Sequence, residues 1–191
     1  MRHAVGVFAW TVAVALASCG CAEAPLRLYT LAAPDPSTDP PATTSQEPEP
    51  VIEIERVSMP GELDTEDIAV RRGDVIERSM TGRWVERFSL LTTHFMSAEL
   101  AMRAPQSVVS EGESSSPADY RISIHISRMD VSSQGVASLE AQWRIISREG
   151  IQTPVWEQRQ IQVRGPVATD QDVVTLEREL LESLAQSIKL P

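Results

Sequence analysis

An α+β domain, with a mainly antiparallel sheet and two amphipathic helices packed on one face, is the architecture this chain encodes, and two observations point to it. Tyr120–Ser127 and Ala137–Ile145 alternate apolar and polar residues almost without fault, which is the period of strands with one buried face. Trp84–Met102 and Val173–Ile188 repeat their apolar residues at helical spacing, giving each one apolar stripe. Elements that each carry a single apolar face bury it against one another in two layers.

The N-terminal segment is not part of that domain. Met1-Arg2-His3 is a short basic start, Ala4–Leu16 is an apolar run, and Ala17 and Ser18 are small, the layout of a secretory signal. As a helix the run reaches about 20 Å into a hydrocarbon core roughly 30 Å thick, too short for a permanent anchor. Leu16-Ala17-Ser18-Cys19 resembles a bacterial lipobox, with Leu16, Ala17 and Ser18 as the signal-peptidase recognition residues and Cys19 as the lipidation site. The thiolate is the nucleophile that alkylation with diacylglycerol needs, and small neighbours let an extended backbone enter the peptidase. Cys21 has Ser18 where the branched apolar residue belongs, so Cys19 is preferred. With Cys19 modified, Cys21 has no thiol left to pair with. Gly20, rather than Asp, follows Cys19 and implies export to the outer membrane. The alternative is an ordinary secretory signal with an incidental cysteine.

Three regions result: a signal at residues 1–18, a lipidated N-terminus with a short strand and linker at 19–50, and a domain at 51–191. Leu26–Leu31 has strand composition and either pairs with the main sheet or belongs to the tether. Ala32–Pro50 holds six of the 13 prolines and no Lys or Arg, a semi-extended solvated linker.

Within the domain, Val51–Val57 reads as a strand, Met59–Asp64 as a turn, and Ile68–Arg71 with Val75–Ser79 as a hairpin around Arg72-Gly73-Asp74. That triplet fits a turn better than an adhesion motif. In the first helix Trp84, Phe88, Leu91, Phe95, Ala98 and Met102 share one direction and form its core stripe. A Ser/Glu/Gly/Pro-rich loop is expected over Gln106–Asp119, and a third strand over Val155–Val163. Thr169-Asp170-Gln171-Asp172 is a capping-box pattern that opens the closing helix.

Chemistry-bearing residues are few. His94 borders the first helix stripe and His125 lies on the polar face of its strand, neither with a Cys, His or acidic partner at ligand spacing. Phosphate loops, Gly-x-Ser-x-Gly elbows and spaced Cys pairs are missing from the sequence. No catalytic residue, metal site or cofactor is nominated beyond the covalent lipid on Cys19, and an envelope enzyme is the least favoured class. The balance of 17 Lys+Arg against 27 Asp+Glu, net −10, argues against a nucleic-acid partner, because counterion release needs a basic patch that this chain lacks.

Tyr29-Thr30-Leu31, the Pro-x-x-Leu-Asp pattern at Pro60, Leu63 and Asp64, Ile68–Arg71, Arg83-Trp84-Val85-Glu86, Tyr120–Ser127 and Leu139–Trp143 occur in an order that resembles the ABC-type transport auxiliary lipoproteins, the PqiC type. Glu62, Thr65, Val85 and Arg87 depart from the residues usual there. The resemblance implies that Pro60, Leu63, Asp64, Trp84 and Trp143 determine structure. It also implies a noncatalytic, outer-membrane-anchored periplasmic component of an ABC/MCE-type lipid transport system that maintains the envelope, with an MCE-type periplasmic protein as partner. A structural lipoprotein binding peptidoglycan or another envelope protein is the alternative. Because both clear strands place their apolar residues on one face, the domain is expected to hold no lipid in a cavity of its own. Val85, Met96 and Leu100 fall opposite the first helix stripe, which nominates them as a contact in a homo-oligomer or with the transporter.

Overall fold

The computed structural model describes residues 25–31, 49–112, 117–150 and 155–191. The signal, the lipobox residues Leu16, Ala17, Ser18 and Cys19, and most of the Pro-rich linker lie outside the described residues.

Ten elements follow in chain order among the described residues: β1 (Arg27–Tyr29), β2 (Val51–Ile54), β3 (Asp67–Arg72), β4 (Val75–Trp84), α1 (Phe88–Arg103), β5 (Val108–Glu111), β6 (Tyr120–Val131), β7 (Val136–Ser147), β8 (Glu157–Arg164) and α2 (Asp170–Ser187). The α+β class holds, with the strands divided between two mixed sheets. One has five strands in the order β5-β2-β6-β7-β8 and the other three in the order β1-β4-β3. The long pairings β6–β7, β7–β8 and β3–β4 are antiparallel, while β1–β4, β2–β5 and β2–β6 run parallel. The strand around Tyr29 therefore joins the smaller sheet, not the larger.

Alternation makes the central hairpin. Ile122, Ile124 and Ile126 of β6 face Ile145, Trp143 and Ala141 of β7. A register shift between Ile126 and Arg128 then advances the phase by one residue, so that Met129 and Val131 face Leu139 and Ala137 on the same side. All of these except Ile145 are buried. In β2, Ile52, Glu53 and Ile54 are all buried, as suits a central strand. Glu53 is satisfied by the fork of Arg121, at 3.2 and 3.3 Å.

The two helices cover the apolar face of this sheet. In α2, Val173, Leu176, Leu180 and Leu184 are buried, with Ile188 just beyond the last turn. The capping box is present: the Thr169 hydroxyl accepts from the Asp172 amide at 3.2 Å, and Asp172 accepts from the Thr169 amide at 2.9 Å.

The first helix differs from its expectation. It begins at Phe88, because Trp84 ends β4 and donates its amide to the Glu66 carbonyl at 2.8 Å. Met96 and Leu100, expected on the outward face, are both 0% exposed, whereas Met102 of the expected core stripe is 53% exposed. Trp84, which anchors the expected stripe, belongs to β4, so the helical phase does not run through it. Moreover α1 packs on both α2 and β5, so its buried arc widens to include Thr92, Thr93, Met96 and Ser97. Met96 and Leu100 are core residues, and of the three nominated contact residues only Val85, in the turn before α1, is exposed. The stretch expected to be loop contains β5, a short parallel edge strand on β2.

Candidate functional site

Pro60, Leu63, Asp64 and Trp84 come together at one end of the domain. The Pro60 carbonyl accepts from the amides of Leu63 at 2.9 Å and Asp64 at 3.1 Å, closing the turn. That turn aims Asp64 at the start of α1. One carboxylate oxygen accepts the Ser89 amide at 3.0 Å and the other lies 3.2 Å from the Arg87 guanidinium and 3.9 Å from that of Arg56. The residue at the N-cap position, Arg87, makes no side-chain cap bond, so a carboxylate 25 positions from Ser89 satisfies the orphan amide and faces the positive end of the helix. Burial alone would raise the Asp64 carboxyl; the bonds from Ser89 and the charges of Arg87 and Arg56 outweigh it and hold the group below its ordinary value.

Trp84 lies beneath the same turn, tilted 41° against Phe88 with ring centroids 5.2 Å apart. Both rings line a cavity of about 130 Å³ between the turn, the β3–β4 hairpin, the end of β6 and α2. Leu63, Ala69, Ile76 and Met129 supply aliphatic wall. The polar lining is largely paired already: Asp130 holds Arg71 at 2.7 Å, and Asp67 holds Arg78 and Arg83 at 3.0 and 3.2 Å.

Glu177 of α2 also lines the cavity and is the residue that sequence reasoning missed. It is 9% exposed, and its Oε2 meets no hydrogen-bond partner among the described residues. Burial pushes its carboxyl up to about 8, so the neutral acid dominates at pH 7. A signal for it existed. Val174, Glu177 and Leu181 fall on one ridge of α2 beside the main apolar stripe, and Glu177 is the polar member of that ridge.

The other nominated residues lie elsewhere. Trp143 is buried in β7 opposite Ile124. Val85 borders the site, 52% exposed, with its amide donating to the Tyr29 carbonyl at 2.9 Å. His94, which showed no acidic partner at ligand spacing, meets Glu111 at 2.5 Å and Glu86 at 3.8 Å through the fold, and His125 pairs with the Ser58 hydroxyl at 2.9 Å. Among the described residues no cluster of His, Cys, Asp and Glu could hold a metal ion. Gly73, at φ 61°, takes the left-handed turn of the β3–β4 hairpin, which is the structural use of the Arg72-Gly73-Asp74 triplet.

Fold and site define the class: an α+β domain with two helices and two mixed sheets among the described residues, in which an external turn caps the first helix over a cavity of mixed aromatic, aliphatic and charged lining. Within it, the chain belongs to the ABC-type transport auxiliary lipoprotein component family, whose model matches residues 29–189. It is thus an auxiliary lipoprotein component, a family that implies the cell envelope. Two crystal structures show the same fold. One, of an uncharacterized protein, is 11% identical with a TM-score of 0.68, covering 85% of this chain and 95% of that one. The other, a Xanthomonas campestris protein of the DUF330 family, is 12% identical with a TM-score of 0.61, covering 83% and 90%. Among curated proteins, none matches the chain. Among the described residues no helix is long and apolar enough to cross a membrane.

Proposed function

We propose that the chain is lipidated at Cys19, held on the periplasmic face of the outer membrane, and serves as a noncatalytic part of an ABC/MCE-type lipid transport system by docking its MCE-type periplasmic protein. The observation that carries this reading is the family match across residues 29–189, which begins ten residues after Cys19 and takes in both sheets and both helices. Gly20 favours the outer membrane over retention at the inner one. Two or three acyl chains would make the tether firm, because each buried methylene adds about 0.8 kcal/mol.

The domain works as a dock and carries no lipid itself. Its inner sheet face is spent on the helices, its outer face shows His125, Ser127, Gln142, Gln158 and Gln160, and the apolar cavity has room for one small group. Metabolic labelling with an alkynyl fatty acid, followed by density-gradient separation of membranes, tests the tether. Label is expected in the outer-membrane fraction, retained in Cys21→Ala and lost in Cys19→Ala. Label that survives Cys19→Ala, or that sediments with the inner membrane, contradicts the reading.

A further inference from the structure

Three carboxyls of this domain that are largely withdrawn from water are gripped by arginine: Glu53 by Arg121, Asp130 by Arg71 and Arg128, Asp67 by Arg78 and Arg83. Glu177 is different. Among the described residues it forms no ion pair, its Oε2 has no hydrogen-bond partner, and it lines a cavity that the fold does not fill. A carboxyl oxygen withdrawn from water without a hydrogen-bond partner is unfavourable, so its retention on α2 calls for a use.

The cavity indicates one. Its volume of about 130 Å³ compares with the roughly 150 Å³ of an apolar cavity that admits benzene, so it has room for one side-chain-sized group. Trp84 and Phe88 present aromatic surface, Leu63, Ala69 and Met129 present aliphatic surface, and Ile76, 48% exposed, stands at the rim with Glu62. Aromatic rings attract an ammonium through their quadrupoles, a carboxylate accepts its charge-assisted hydrogen bonds, and aliphatic walls take a methylene stem. Arg71, already bound to Asp130 at 2.7 Å, leaves the carboxyl of Glu177 available.

We propose that this cavity is a socket for a lysine side chain presented by a partner polypeptide, with Glu177 as its counter-ion. The proposal goes beyond membership of the auxiliary lipoprotein family and does not depend on which transporter the chain serves. Entry of the ammonium converts the neutral acid to carboxylate: the Glu177 proton leaves to solvent, and the ammonium keeps its own protons in the resulting pair. Occupation at pH 7 therefore releases a proton.

Calorimetric titration of the processed, membrane-extracted chain in nonionic detergent with Nα-acetyl-L-lysine N-methylamide, in buffers of different ionisation enthalpy, tests this. Saturable binding is expected, with a heat that depends on the buffer. Glu177→Gln, which keeps the volume and replaces an already neutral group, should bind roughly tenfold more weakly and lose the buffer dependence. The norleucine analogue, with a similar stem and no ammonium, should also bind roughly tenfold more weakly. Ala69→Leu, filling the cavity from a half-buried strand position, should abolish binding while the melting transition is kept. Absence of saturable binding to the unmodified chain, equal binding of the norleucine analogue, or unaltered binding by a folded Glu177→Gln would overturn the proposal. Tighter binding of O-phosphoethanolamine than of the lysine derivative would overturn it in favour of a lipid headgroup.

Discussion

Asp64 and Glu177 are carboxyls displaced in opposite directions by the same fold. Asp64 is held low by the Ser89 bonds and two guanidinium groups despite its burial, so its stabilising contribution is present above the ordinary carboxylate value and is lost as acid protonates it. Asp64→Ala should cost about 1 kcal/mol through loss of the helix cap, and Asp64→Asn, which retains an acceptor for the Ser89 amide, should cost less; urea unfolding midpoints measure both. For Glu177 the sign reverses. Its folded value of about 8 lies above its unfolded value of 4.5, so between them the folded state binds the extra proton and stability falls as pH rises. Thermal melts from pH 5 to 8.5 should show Glu177→Gln gaining on the unmodified chain across that window. Parallel curves would mean that the carboxyl is solvated. Asp64 was visible in the sequence as part of a turn pattern, but its capping role was not, because the amide it satisfies lies 25 positions away. Glu177 was legible only as the polar member of the Val174–Leu181 ridge, and a single polar residue on a helix reads as solvated until the element covering it is known.

Elements with one clear period were the legible ones. The β6–β7 hairpin and α2 stand where alternation and the capping box put them, since each carries its own burial pattern. What the period could not show was the number of neighbours. β5 is four residues long with Ser and Glu at its end and gains strand form only by pairing with β2. The parallel pairings of β1 and β2 join segments far apart in the chain, which no local pattern encodes. The first helix is covered by α2 as well as by the sheet side, so a stripe model left Met96 and Leu100 outside. Met96→Glu or Leu100→Glu should therefore destabilise the domain by about 3 kcal/mol or more, since each buries an unpaired charge. Met102→Glu, at an exposed position on the same helix, should change stability by less than about 0.5 kcal/mol. Circular-dichroism melts of the three variants decide it, and a folded, stable Leu100→Glu would show that the helix face is wrongly assigned.

Across the whole molecule, the N-terminal segment and the domain do different physical work. Cys19 with its Leu16-Ala17-Ser18 neighbours reads as the membrane attachment, and the Pro-rich stretch after it reads as the reach. Under the proposed tether, confinement to one membrane would raise the effective concentration of the domain near its partners, so that a modest contact would suffice for docking. Val75, Ile76 and Val85 are exposed apolar residues of the hairpin and the turn before α1, close in sequence to the lining of the Glu177 cavity. That end of the domain is where a partner is expected. The most direct test is photo-crosslinking in intact cells from a benzophenone side chain introduced at Val85, with the adducts identified by mass spectrometry. Docking predicts an adduct with an MCE-type periplasmic protein that disappears when Cys19→Ala releases the tether. Adducts confined to peptidoglycan-associated proteins, or an MCE adduct that is indifferent to Cys19→Ala, would contradict a lipid-tethered transport auxiliary.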